Sequence, residues 1–257
     1  MGHLASTYLS QGRWKEAEGL QAQVKEVCLR LLGADHPHTL TSMGNLALTY
    51  LSQGRWKEAE GLQVQVKEGC LRLLGADHPH TLTSMGNLAS TYLSQRRRKE
   101  AEGLQVQVKE ARLRMLGAEH TDTLISMGHL ASTYLSQGRR KEAEGLQVQV
   151  KEACLRLLGP ENSNTLNAMG NLAWIYLIQE RWKEAEQLHV QVKETCLRLL
   201  GAEHPDTLTS MRYLTLIYWR QKRWKEAIHT FRLVVMYTSK NRWRRLVEAP
   251  GCSTQRH

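Results

Sequence analysis

The sequence has little of what builds a large single core or a membrane anchor. It holds one Phe among 257 residues and contains no run of 18 apolar residues, so no membrane-spanning helix is expected. The first residues, Met1 to Leu4, lack the charged region and the apolar core of a signal peptide. We therefore expect a cytoplasmic protein that makes no membrane contact.

Motifs for catalysis and metal binding are also missing. The sequence contains no nucleophile elbow, no phosphate-binding loop and no His-Glu-x-x-His string. His36, His78, His120 and His204 recur in equivalent loops, but a zinc site needs convergent ligands, and these loops lie a full repeat apart. Cys28, Cys70, Cys154 and Cys196 share one repeat position, so we expect them to stay reduced. The sequence predicts a non-enzyme without cofactor or metal.

What the sequence does contain is a repeat of 42 residues. The string MGNLA or a close variant begins at Met1, Met43, Met85, Met127 and Met169, and MRYLT follows at Met211. No insertion interrupts this spacing. A fixed period of this length indicates a solenoid, in which each repeat buries its apolar face against the next repeat.

Each repeat contains two stretches with helical spacing of apolar residues. The first, residues 40–51, predicts helix A, which ends at Gly54. The second, residues 56–74, predicts helix B, which ends at Gly75. Thr81 is expected to cap the next helix A through its hydroxyl. The predicted fold is an all-α, right-handed superhelical solenoid of antiparallel helix pairs, with about six repeats.

The packing residues of the repeat identify its relatives. Leu46, Ala47, Tyr50 and Ala59, together with the string Gly-Arg-Trp-Lys-Glu-Ala, resemble the tetratricopeptide repeat. Gln21, Gln63, Gln105, Gln147 or His189 stands where that family has an aromatic residue in helix B, and only Phe231 restores it. The repeat length and the string Leu-Gly-x-x-His-Pro are similar to the subclass found in kinesin light chains and in fungal repeat proteins. The resemblance implies a scaffold for protein–protein interaction.

The repeats divide the chain into two parts. Residues 1–237 are predicted to form the array, with a truncated first repeat, and residues 238–257 a basic tail that is partly disordered. Because Met1 aligns with Met43 inside helix A, we expect the chain to be a fragment of a longer array or a shortened gene product.

The resemblance places helix A on the concave face, so polar positions of helix A are the candidate site. Asn45, Asn87 and Asn171 form a ladder with His3, His129 and Tyr213 at matching positions. A row of amides either grips an extended peptide or holds neighbouring helices together. The candidate peptide-binding residues are Asn45, Asn87, His129, Asn171, Ser90, Ser132, Trp174, Arg212, Trp219 and Arg220, and the last four favour an acidic or aromatic-acidic ligand.

Arginines gather in the turns between helix A and helix B. With a net charge of +10, they leave nucleic acid or an acidic partner as an alternative ligand along that edge, although nearby glutamates favour a solvated turn. Other readings are a cargo adaptor of the kinesin light chain type, the repeat region of a larger fungal receptor, and a spacer that binds nothing.

Overall fold

The computed structural model describes residues 7–8 and 11–247, and for residues 240–247 it describes the backbone alone. The described residues form α-helices and no strand, as predicted. Helix B elements alternate with helix A elements along the chain. The helices are α1 (Trp14–Leu32), α2 (Pro37–Ser52), α3 (Trp56–Leu74), α4 (Pro79–Ser94), α5 (Arg98–Leu116), α6 (Thr121–Ser136), α7 (Arg140–Leu158), α8 (Ser163–Ile178), α9 (Trp182–Leu200), α10 (Pro205–Arg220) and α11 (Trp224–Val247).

The helices belong to two compact units. Unit 1 is Met1–Arg139, and within it the helices α1 to α6 pack consecutively, from α1 on α2 to α5 on α6. Unit 2 is Arg140–His257, and within it the helices pack consecutively from α7 on α8 to α10 on α11. The same register positions are buried in each repeat that the structure describes in full. Helix A contributes a Leu such as Leu46, which is 2% exposed, and helix B contributes an Ala such as Ala59, which is fully buried. This consecutive packing is the arrangement of a tetratricopeptide solenoid.

The start of helix A differs from the prediction. In three repeats helix A begins at proline, and in a fourth it begins at Thr121, in each case two residues before the expected Thr cap. In these four repeats the cap is the side chain of His36, His78, His204 or His120. Nδ1 of His78, for example, accepts the backbone N–H of His80 at 3.2 Å. Thr81 is fully buried within the helix, and its hydroxyl has no partner among the described residues. The loop histidines therefore act as helix caps, because their ring nitrogen reaches a free N–H that the Thr hydroxyl does not.

The end of helix A confirms the predicted turn. Gly54 adopts a φ of 75°, in the left-handed region that glycine enters without cost. Three repeats place a residue with a Cβ there instead: Arg96, Glu180 and Lys222 have φ values of 63°, 61° and 61°. These three turns carry backbone strain that the glycine turns avoid.

Buried hydrogen bonds explain the glutamines at the aromatic position of helix B. Gln63 Oε1 accepts the hydroxyl of Thr91, on the next helix A, at 2.5 Å, and Gln21 and Gln105 accept from Thr49 and Thr133 in the same way. In α8 and α10 the threonine becomes Ile175 and Ile217. Gln147 then donates to the carbonyl of Ala168 at 3.2 Å, whereas His189 has no hydrogen-bond partner in the described chain.

The last helix extends past residue 237, the predicted end of the array, to Val247. The part of the expected tail beyond residue 247 and the ladder residue His3 lie outside the described residues. Within the described ranges, no helix is long and apolar enough to cross a membrane, and no group of three or more potential metal ligands converges.

Candidate functional site

In each unit, a groove opens between two successive A helices and is floored by the B helix between them. In unit 1 it encloses about 270 Å³ between α2 and α4, above α3. In unit 2 a groove of about 420 Å³ lies between α8 and α10, above α9. Each lining residue of the first groove has its counterpart 126 residues later in the second, as Asn171 does for Asn45. Since 126 is three repeat lengths, the fold builds the same site in both units.

The predicted asparagine ladder lines these grooves. Asn45 and Asn87 lie on the two walls of the unit 1 groove, and Asn171 lies on one wall of the unit 2 groove. All three side chains are exposed. None of their amide groups makes a hydrogen bond that the structure records, so the interpretation in which they join neighbouring helices has no support here. Their donors and acceptors face the open groove.

The unit 2 groove is more aromatic than its counterpart. Trp174 takes the position of Leu48, and its ring lies 5.7 Å from that of Tyr213, which takes the position of Asn87. Tyr213 stacks at 4.7 Å on His189, which is 2% exposed. Burial lowers the pKa of His189 to about 4, so the imidazole is neutral at pH 7. His189 was not among the predicted site residues, because its helix B position signals core rather than groove.

The other predicted site residues lie near these grooves or outside them. The hydroxyls of Ser90 and Ser132 bond to carbonyls of their own helices at 3.1 Å. Trp219 packs edge-on against Trp224 at 4.7 Å, which places it at the turn that follows α10. Arg212 and Arg220 are exposed on α10, but neither lines the unit 2 groove. Of the four predicted specificity residues, Trp174 alone lines a groove described here.

The turn arginines are held in place by ion pairs. Arg55 lies 4.2 Å above the ring of Tyr50 and pairs with Glu18, on the preceding helix B, at 2.7 Å. The hydrogen bonds from Arg55 and Gln53 hold the pKa of Glu18 below its ordinary value. The same arrangement repeats at Arg97, Arg139, Arg181 and Arg223, each of which pairs with a glutamate of the preceding repeat. These arginines join neighbouring repeats, and their charge is largely neutralised.

Comparison with known proteins identifies the family. The tetratricopeptide repeat family model matches residues 1–69, 53–114, 122–196 and 175–235. Together with the helix pairs and their consecutive packing, this match shows that the chain belongs to the tetratricopeptide repeat family. Members of this family typically serve as protein–protein interaction modules.

Solved structures narrow the resemblance to one subclass. A kinesin light chain-like protein of Podospora anserina with nearly identical repeats is 30% identical, covers 80% of this chain and 98% of its own, and has a TM-score of 0.70. A single-residue variant of that protein is 31% identical over 77% of this chain and 93% of its own, with the same TM-score. BtubC of P. vanneervenii, at 16% identity, covers 89% of this chain and 92% of its own with a TM-score of 0.76, and it shares the fold. Among curated proteins, no sequence matches this chain.

Proposed function

We propose that this protein is a non-catalytic scaffold that binds an extended peptide segment of a partner protein along the grooves between its A helices. The observation that carries this proposal is the set of unpaired, exposed amides of Asn45, Asn87 and Asn171 along two equivalent grooves. An amide bonds both the N–H and the C=O of a peptide backbone, so a row of amides holds an extended chain whatever its side chains are.

The apolar floor supplies the second part of the interaction. Leu73 and Leu74 in unit 1, and Leu199 and Leu200 in unit 2, line the grooves and remain between 39% and 48% exposed. A peptide side chain that covers them gains hydrophobic free energy that a purely polar groove does not offer. In unit 2, the exposed ring of Trp174 offers a surface on which an aromatic side chain of the peptide can stack.

We further propose that Arg212, Trp219 and Arg220 extend recognition beyond the unit 2 groove toward acidic groups. Arg212 and Arg220 are exposed and make no ion pair within the described chain. An Arg212→Glu, Arg220→Glu variant is expected to bind acidic peptides more weakly while it remains folded. Unchanged binding by this variant would remove both residues from the site.

The test of the main proposal is peptide selection on the whole chain. A random twelve-residue peptide library displayed on phage is panned against the protein and against an Asn45→Ala, Asn87→Ala, Asn171→Ala variant. We expect binders to the first protein that bind the variant at least ten-fold more weakly, because each lost amide removes about 1 kcal/mol of hydrogen bonding. Asn164→Ala is the matched control, since Asn164 is exposed at the start of α8 but lies outside the groove. Equal binding by the triple variant and the control would refute the role of the ladder.

Nucleic acid is the weaker alternative because one arginine in each of five turns is neutralised by a glutamate. These arginines are Arg55, Arg97, Arg139, Arg181 and Arg223. A titration with short RNA at two salt concentrations separates the two ligands, since phosphate binding falls steeply with salt and would survive the asparagine substitutions.

The cysteines fit the proposed cytoplasmic location. Cys28, Cys70, Cys154 and Cys196 are free thiols, and burial raises the pKa of Cys70, Cys154 and Cys196. Unreactive thiols of this kind are usual in a reducing compartment.

A further inference from the structure

One repeat carries a cation at a helix B position where four other repeats carry a thiol. Cys70 and Cys196 line the two grooves described above, and Cys154 shares their register position. In the third repeat this position is Arg112, on α5, between the A helices α4 and α6. Arg112 was not among the predicted site residues, because a single arginine in helix B resembles the charged residues of a solvated face.

The guanidinium of Arg112 is only partly engaged. Nη1 donates to the backbone carbonyl of Asp122, in the first turn of α6, at 3.0 Å. No carboxylate of the described chain lies within ion-pair distance of it. Arg114, two residues further along α5, does pair with Asp77 at 2.7 Å. A guanidinium has five N–H donors, so most of those of Arg112 remain available to a ligand.

The neighbouring ladder residue also differs in this repeat. His129 stands where Asn45, Asn87 and Asn171 stand in their repeats. His129 is partly exposed, but the protein around it and the nearby charge of Arg112 lower the pKa of its imidazole below the ordinary value. The imidazole is therefore mainly neutral at pH 7 and offers one N–H donor. Arg112 and His129 both depart from the repeat pattern, and they stand one repeat after Cys70 and Asn87, which line one groove. The charge of Arg112 acts on His129, so the two side chains lie near each other.

These two side chains together present donors and one permanent positive charge. A ligand with acceptors alone and one negative charge is complementary to them, and a carboxylate fits the planar fork of a guanidinium with two parallel hydrogen bonds. A phosphate dianion would leave one negative charge without a partner, because His129 is neutral.

We propose that Arg112 and His129 form a carboxylate-binding site in the groove between α4 and α6, which takes the Asp or Glu side chain of a bound peptide. This inference rests on the proposed peptide-binding function. It assigns the preference for acidic peptides to unit 1, at a residue of helix B, independently of Arg212 and Arg220.

The test uses an Arg112→Cys variant, which introduces the residue that four other repeats have at this position. The same displayed library is panned against the full chain and against this variant. We expect an Asp or Glu at a fixed position in binders to the wild-type protein and no such enrichment with Arg112→Cys. If the peptides selected on the wild-type protein share no acidic position, this inference is overturned and the proposed function is left intact. If neither protein yields binders, both proposals fail.

A synthetic version of a selected peptide then measures the pairing directly. In this peptide the acidic residue is replaced by its amide, Glu by Gln or Asp by Asn. The replacement is expected to weaken binding to the wild-type protein by about 10- to 100-fold, and to change binding to Arg112→Cys by less than about two-fold. Equal losses on both proteins would refute the pairing. Arg112→Lys controls for misfolding, because it keeps the charge and about the length of the side chain. It is expected to lose only the bidentate hydrogen bonding and to bind the peptide with intermediate affinity. An amidated peptide separates side-chain recognition from recognition of a C-terminal carboxylate: loss of binding on amidation would overturn the side-chain assignment.

Discussion

The repeated glycine in the middle of helix B offers a direct test of how this array is stabilised. Gly19, Gly61, Gly103 and Gly145 occupy one register position, and all four are exposed. A Cβ atom added at any of them meets nothing within 4 Å. These glycines therefore serve no close approach of helices, and each costs the helix about 0.5–1 kcal/mol relative to alanine.

We expect the replacement of all four by alanine to raise the free energy of unfolding by about 2–4 kcal/mol in total. The sites lie on separate helices and share no contacts, so their effects should add. The measurement is guanidinium unfolding followed by far-UV circular dichroism, with amide hydrogen exchange to locate the gain in individual helices. Exchange is needed because a solenoid need not unfold in one step.

Two control variants define what the result means. Gln187 takes the same position in α9, and Gln187→Ala should change stability by only a few tenths of a kcal/mol, because Gln is itself a good helix former. Gly54→Ala should destabilise by about 1–2 kcal/mol, because Gly54 has a positive φ. A quadruple variant no more stable than wild type would refute the reasoning from open space and helix propensity.

Three further predictions concern single positions. Lys222→Gly should stabilise the protein by about 0.5–1 kcal/mol in a guanidinium melt, because it releases the strain of a φ of 61°, and a decrease would contradict that account. Glu60→Ala should lower the free energy of unfolding by about 1–2 kcal/mol, because it removes the ion pair with Arg97 and the hydrogen bond from Gln95. This loss should shrink at high salt, and a loss independent of salt would argue against the ion pair. His189→Gln should reduce the loss of stability between pH 6.5 and pH 4. In that window the imidazole of the unfolded wild type takes up a proton and the folded imidazole, with a pKa of about 4, does not, so the wild type loses up to about 3 kcal/mol. Identical pH profiles of the two proteins would refute this reasoning.

The sequence was sufficient to predict the elements and their order. The spacing of Leu46 and Ala47 in helix A, and of Ala59 in helix B, is set by helical geometry, so it indicates which face is buried before any neighbour is known. Gly54 and Gly75 marked the helix ends because only glycine enters the left-handed region without cost. The start of helix A was less predictable, since Thr81 and His78 are both able to cap and only the backbone path selects the histidine.

The candidate site was predictable in part. The helix A positions of Asn45 and Asn171 follow from the repeat, and both residues line grooves. The partners of a side chain could not be predicted. The sequence places arginines and glutamates near one another in every turn, but the pairing of Arg55 with Glu18 joins residues of two repeats.

The sequence by itself thus determined the repeat, the helix pairs and the residues that face the core, because a 42-residue period and helical spacing are local properties of the chain. Only the tertiary structure decided which polar groups are left unpaired. Whether an amide, a guanidinium or an imidazole meets a partner depends on contacts between helices that lie 28 to 37 residues apart, as in the bonds of Thr91 to Gln63 and of Arg97 to Glu60. Those contacts engage one arginine in each of five turns, and they leave the side-chain amides of Asn45, Asn87 and Asn171 without a hydrogen bond in the described chain.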